Sequence, residues 1–146
     1  MSRQRKTEIT WSYPRTLESA LNSEICLSGW GIYYISRKFG DKETLLYVGL
    51  TFDQTFIKRI AQHRKNWLHL YRGAIYIRFG EFTKPQSISK DLVEDVESCL
   101  IYELDPKHNI CKKSYYSYSN EYIITNNGFR GVIPKQISTR EHCSVL

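Results

Sequence analysis

Apolar and polar positions along the chain fall into blocks with two different periods. Residues 30–36 and 45–50 are dense in β-branched and aromatic side chains and predict two strands. The stretch between them, Phe39-Gly-Asp-Lys-Glu-Thr44, carries turn chemistry, so the two strands should pair as an antiparallel hairpin. Thr51 or Asp53 can then cap a helix running to about residue 70. Its apolar stripe would be Phe56, Ile57, Ile60, Ala61, Trp67 and Leu68, with the stem of Arg64. Residues 74–82 alternate as a third strand. Residues 88–104 return to a helical period, with Leu92, Val93, Val96, Leu100 and Leu104 as core positions. Asp105-Pro106 ends that helix, because the residue before proline is pushed out of the helical region. The predicted order is β-β-α-β-α.

The flanks are less regular. Residues 14–22 could form a short helix with Leu17, Ala20 and Leu21 on one face. Residues 1–7 are polar and basic (Arg3, Arg5, Lys6) and read as a frayed terminus. Residues 121–125 and 129–133, around Asn126-Asn-Gly128, suggest a second hairpin, and the last dozen residues a tail. The resulting expectation is an α+β fold: a small three-stranded antiparallel sheet flanked by helices, with an extra C-terminal β-hairpin. The chain divides into an N-terminal extension (1–28), a core (29–112) and a C-terminal extension with hairpin and tail (113–146).

With 146 residues, one domain with a sizeable core is expected. The formal net charge is +6, which favours a polyanionic partner such as nucleic acid. Eleven tyrosines and three tryptophans serve packing and phosphate or base contact equally well. Cys26, Cys99, Cys111 and Cys143 are scattered with no Cys-x-x-Cys pair, which argues against a zinc site. Cys99 falls inside an apolar helical pattern. Thiols without a leader segment point to a reducing compartment, hence a cytoplasmic or nucleoid-associated setting. No apolar run approaches membrane-spanning length.

Six residues within the predicted core carry chemistry. Gly31-Ile-Tyr33 and Tyr47-Val-Gly49 place a tyrosine beside a glycine on each hairpin strand. Adjacent strands would bring the two phenols together. A phenol can orient a water, or accept its proton once its pKa is lowered. Arg59 and His63 are four apart and share a helix face. A guanidinium is permanently charged and matches phosphate oxygens, and imidazole exchanges a proton near neutral pH. A solvated basic helix would also explain them, since Lys58, Arg64 and Lys65 lie alongside. Glu97 sits between Val93 and Ile101, on the apolar side of its helix, where an unpartnered carboxylate is costly and a divalent cation would relieve it. Asn109 follows Pro106, and its amide can hold a side chain or a backbone carbonyl in place.

This ordered set resembles the GIY-YIG endonuclease family over residues 31–109, with Val48 for the usual isoleucine. The stretch from Glu97 through Leu100-Ile101 and Pro106 to Asn109 fits the family's pattern and selects Glu97 over its acidic neighbours. The spacing between the two tyrosine motifs is slightly longer than is usual, and a longer turn at Gly40-Asp41 would absorb it.

The resemblance implies a GIY-YIG-type fold and metal-dependent hydrolysis of DNA to 5′-phosphate and 3′-hydroxyl ends. It makes Tyr33, Tyr47, Arg59, His63, Glu97 and Asn109 the site residues, with one Mg²⁺ or Mn²⁺ held by Glu97. Tyr33 is the first choice to accept the proton of the attacking water, with His63 relaying it or acting instead. Lys58, Arg64, Lys65, Lys107, Lys112 and Lys113 are the candidate DNA contacts. Two alternatives stay open: a module that binds nucleic acid without cleaving it, and a nuclease subunit that needs a homodimer or a partner protein for targeting.

Overall fold

The computed structural model describes residues 5–24, 31–51, 55–84, 88–107, 109 and 121–138. Its elements run β1 (Arg5–Trp11), β2 (Arg15–Thr16), α1 (Leu17–Leu21), β3 (Gly31–Phe39), β4 (Lys42–Thr51), α2 (Phe56–Asn66), a 3₁₀ turn (Leu68–Leu70), β5 (Ala74–Lys84), α3 (Lys90–Leu104), β6 (Tyr122–Gly128) and β7 (Gln136–Ser138).

The central hairpin is β3–β4. Tyr33 pairs with Gly49 and Ile35 with Tyr47, and the register then slips by one residue, leaving Leu46 bulged. Phe39 pairs with Lys42, so Gly40-Asp41 is a tight two-residue turn. The longer spacing between the tyrosine motifs is therefore taken up by long strands and a bulge, not by a longer turn.

Residues 31–36 are buried on both sides. Successive side chains of a strand point to opposite faces, so β3 feeds two cores. Ile32 and Tyr34 join Ile9, Trp11, Val48 and Phe82 under Leu92, Val93, Val96, Cys99 and Leu100 of α3. Tyr33 and Ile35 join Leu46, Ile77 and Phe79 under Ala20 of α1, Phe56 and Ile60 of α2, and Trp67 and Leu68.

The sheet is not the small three-stranded one expected. Among the described residues it has seven strands in mixed orientation, curled, in the order β4-β3-β5-β1-β6-β7, with β2 also pairing β5. β1 runs antiparallel to β5 and parallel to β6. Residues 5–7 thus belong to a strand and not to a frayed terminus. Thr7, Ile9 and Trp11 are buried while Arg5, Lys6 and Thr10 face solvent, a one-sided strand whose charged face conceals it.

The C-terminal hairpin is also displaced from its expected place. Asn126-Asn-Gly128 ends β6 rather than forming a turn, residues 129–135 are the connection, and Gln136–Ser138 is the return strand. Asn126 is fully buried: Trp11 Nε1 donates to its Oδ1 at 2.9 Å, and its Nδ2 donates to Pro134 O at 3.0 Å. The flanks read as extensions therefore share the first core. Among the described residues no helix is long and apolar enough to cross a membrane.

Candidate active site

Tyr33, Tyr47, Arg59 and His63 meet where α2 covers β3 and β4, while α3 packs on the other face of the same strands. Tyr33 projects from β3 onto the face covered by α2, and its ring lies across Gly49 of the edge strand β4. A β-carbon at Gly49 would come within 2.6 Å of Tyr33 Oη and 2.6 Å of Tyr47 Cε1. The glycine of the second motif is thus the space that the first motif's phenol occupies. The two tyrosine rings stack at 6.2 Å between centroids and 29° between planes, as adjacent-strand placement implies.

From α2, His63 packs 4.4 Å from the Tyr47 ring, and its Nε2 lies 2.7 Å from Tyr33 Oη. The other ring nitrogen, Nδ1, accepts from Trp67 Nε1 at 2.9 Å. His63 is 5 % exposed, so it belongs to the buried face of α2 with Phe56 and Ile60. Ala61 and Arg64, expected on that face, are exposed. The helix is capped by Thr55 with no side-chain bond. Thr51, one of the two expected caps, is in β4, where its Oγ1 accepts from Gly31 N–H at 3.3 Å; Asp53 lies outside the described residues. Arg59, one turn before His63, is half-buried. It donates to Tyr47 Oη at 3.3 Å and to Gln62 Oε1 at 3.0 Å.

Glu97 arrives from α3, which packs on β4. It is half-buried at the margin of the helix's apolar face and not inside it. The deeply buried acid of α3 is instead Asp95, 4 % exposed. The carboxylate of Glu97 is nonetheless near enough for its charge to act on the Tyr33 phenol. Burial is the main cause that pushes the Tyr33 pKa well above its ordinary value. Tyr47 adds to the rise, Arg59 opposes it, and Glu97 adds further. For Arg59, burial disfavours the charge, but the two tyrosine oxygens favour it and the net direction is upward. The site is therefore a fixed cation between two phenols, with one carboxylate at its rim.

Asn109 is structural in this arrangement. Its Oδ1 accepts from Val48 N–H and its Nδ2 donates to Val48 O, both at 2.9 Å. The amide thus supplies the hydrogen bonds that a neighbouring strand would give this stretch of the edge strand, between Tyr47 and Gly49. Lys107 N–H donates to Leu45 O at 3.3 Å, extending the same attachment.

Lys58, Arg64, Lys65 and Lys107 are exposed. Lys112 and Lys113 lie outside the described residues. The sequence reading missed two features near these strands. Trp67 was seen only as an apolar core position, although its spacing of four from His63 is that of a helix-face neighbour. Arg78 is buried on the opposite face of the sheet, where it pairs with Glu43 at 2.9 Å and packs over the Tyr34 ring. Its place in an alternating strand was readable, but the identity of its partner was not.

Comparison of the chain with protein-family models, with curated proteins and with solved structures finds no match.

Proposed function

We propose that the protein is a GIY-YIG-type endonuclease that hydrolyses DNA phosphodiester bonds with a divalent cation, in a cytoplasmic or nucleoid-associated setting. One observation carries this reading. Four side chains from three separate elements, Tyr33, Tyr47, Arg59 and His63, touch one another in a continuous chain, and Glu97 from a fourth element acts on the same phenol. Packing alone does not require a guanidinium, an imidazole and a carboxylate to gather around two phenols.

The donor at the site fits Mg²⁺ or Mn²⁺, since the Glu97 carboxylate offers hard oxygens. Among the described residues no three His, Cys, Asp or Glu side chains gather as a cage. Mg²⁺ tolerates a single protein carboxylate because it keeps several waters and binds phosphate oxygens. A bound cation would supply neutralisation of the phosphate and of the leaving 3′ oxygen.

The protein's own groups do the rest. Glu97 would hold the cation. Arg59 places a permanent charge beside the phosphate as negative charge builds up. Tyr47, whose hydroxyl already accepts from Arg59, orients the phosphate or the water. The attacking water forms the new P–O bond, its proton passes to the oxygen of ionised Tyr33, and the P–O3′ bond breaks, the leaving 3′ oxygen taking a proton from solvent water. The products carry 5′-phosphate and 3′-hydroxyl ends. The exposed Lys58, Arg64, Lys65 and Lys107 give the surrounding surface affinity for the DNA backbone.

A second reading is favoured by one observation: Tyr33 has no exposed surface and its phenol is held neutral. A module that binds nucleic acid without cleaving it would leave Tyr33 so. One assay separates the two. Supercoiled plasmid, branched DNA and RNA are incubated with Mg²⁺, Mn²⁺ or EDTA, using wild type and Glu97→Gln, and product ends are mapped. Metal-dependent cleavage lost in Glu97→Gln is the expected result. Binding without cleavage in both proteins would establish the module instead. Sizing the protein with and without DNA addresses whether a dimer or partner completes it.

A further inference from the structure

We infer that Trp67 is a positioning residue that fixes the tautomer of His63, so that His63 donates a hydrogen bond to Tyr33 and does not accept one. The indole N–H has no lone pair to offer and can only donate. At 2.9 Å from His63 Nδ1, it requires that nitrogen to be the acceptor. A neutral imidazole that accepts at Nδ1 carries its proton on Nε2. Nε2 faces Tyr33 Oη at 2.7 Å, so the proton between them belongs to the histidine, and the phenol oxygen accepts.

Two consequences follow. First, the proton of Tyr33 cannot point at His63 and must be directed elsewhere around the oxygen, away from the Arg59 guanidinium, which can only donate. Second, His63 cannot take up a second proton at Nδ1 without setting two donors against each other, so it stays neutral beside the phenol. Under the nuclease reading, on which the catalytic part of this inference rests, His63 is neither relay nor base. It steadies the ionised oxygen of Tyr33 through Nε2–H while remaining uncharged itself. Among the described residues, ionisable groups around this pair include Tyr47 from β4, Tyr71 beyond Trp67, Arg59 from the same helix and Glu97 from α3.

The arrangement was hidden because a tryptophan at the end of an amphipathic helix reads as an anchor for the core. Here the same side chain both packs, 5.7 Å from Tyr71 and 5.8 Å from Tyr47 between centroids, and donates. The test is nitrogen NMR of the His63 imidazole in wild-type protein, with Trp67→Phe as the comparison. In wild type, Nε2 should be the protonated nitrogen and Nδ1 the acceptor across neutral pH. In Trp67→Phe, which keeps a ring but loses the donor, the Nδ1-protonated form should appear. The imidazole titration midpoint should also rise by roughly one pH unit, about the tenfold that one net hydrogen bond contributes. Protonated Nδ1 in wild type would overturn the inference without any variant, as would an unchanged midpoint in a folded Trp67→Phe. The readout needs no cleavage: the expected tautomer in a protein that cuts nothing would sink the nuclease reading alone, and the wrong tautomer in an active nuclease would sink this inference alone.

Discussion

Gly49 lies directly opposite Tyr33 in the β3–β4 ladder, and the tyrosine ring fills the volume that any side chain at position 49 would need. The two tyrosine motifs are therefore halves of one steric unit. A phenol can reach across the edge strand only where that strand has no β-carbon.

Replacing Gly49 by alanine should force Tyr33 and Tyr47 apart, because the added carbon meets both rings at 2.6 Å. Both neighbours are held by packing and hydrogen bonds, so they cannot simply swing aside. The expected cost is about 1–3 kcal/mol of stability, as for other overpacked sites. Urea unfolding of Gly49→Ala measures it. Wild-type stability in that variant would show that the rings are not locked together as described.

Two acids of α3 should separate cleanly on mutation. Glu97 stands at the rim and Asp95 is buried. Glu97→Gln keeps shape and loses charge, so it should change stability by no more than about 0.5 kcal/mol. It should also reduce metal-dependent cleavage by roughly a hundredfold or more. Asp95→Asn should do the reverse, costing about 1–3 kcal/mol through a disturbed buried acceptor. Parallel melting curves and plasmid nicking on the two variants check this. Exchanged phenotypes would move the cation site to Asp95.

Asn109→Ala should remove both side-chain bonds to Val48 and leave a buried N–H and C=O of the edge strand to find other partners. A loss of about 1–3 kcal/mol is expected. Hydrogen exchange at the Val48 amide should rise well above that of Ile35 in the bulk of the hairpin. Cleavage should fall through disorder at Tyr47 and not through lost chemistry, so Mg²⁺ dependence should keep its midpoint. A shifted Mg²⁺ midpoint would instead give Asn109 a direct role at the cation.

What was legible in the sequence was local. The β3–β4 hairpin, the two long helices and the convergence of Tyr33 with Tyr47 follow from periodicity and from pairing on adjacent strands. What was missed was long-range or concealed by charge. β1 pairs in parallel with β6, and Trp11 bonds Asn126 across 115 residues of chain, with no turn or spacing to announce it. Asn126-Asn-Gly128 has the composition of a turn, and only the buried bonds of Asn126 explain its place in a strand. Glu97 was read as buried because Val93 and Ile101 flank it, yet its helix turns Asp95 inward and leaves Glu97 at the margin. His63 was read only as sharing a helix face with Arg59, whereas Tyr33 and Trp67 satisfy both its nitrogens and let it enter the core.

The order of the two phenols in catalysis can be tested by rate and pH together. Burial, Tyr47 and Glu97 raise the Tyr33 pKa, and Arg59 only partly offsets them. A raised pKa favours the neutral phenol, so the ionised form is a small minority at neutral pH. If Tyr33 accepts the proton of water, the cleavage rate should rise about tenfold per pH unit from near pH 6 upward, with no plateau below the ordinary tyrosine value of about 10. Tyr33→Phe should slow cleavage by roughly 10²–10⁴ and flatten that slope. Tyr47→Phe, which loses an orienting hydroxyl and an acceptor for Arg59, should slow cleavage less and keep the slope. A flat profile in wild type would remove both phenols from the proton-accepting role, and a slope that disappears in Tyr47→Phe but persists in Tyr33→Phe would transfer that role to Tyr47, the phenol of the pair that is partly exposed.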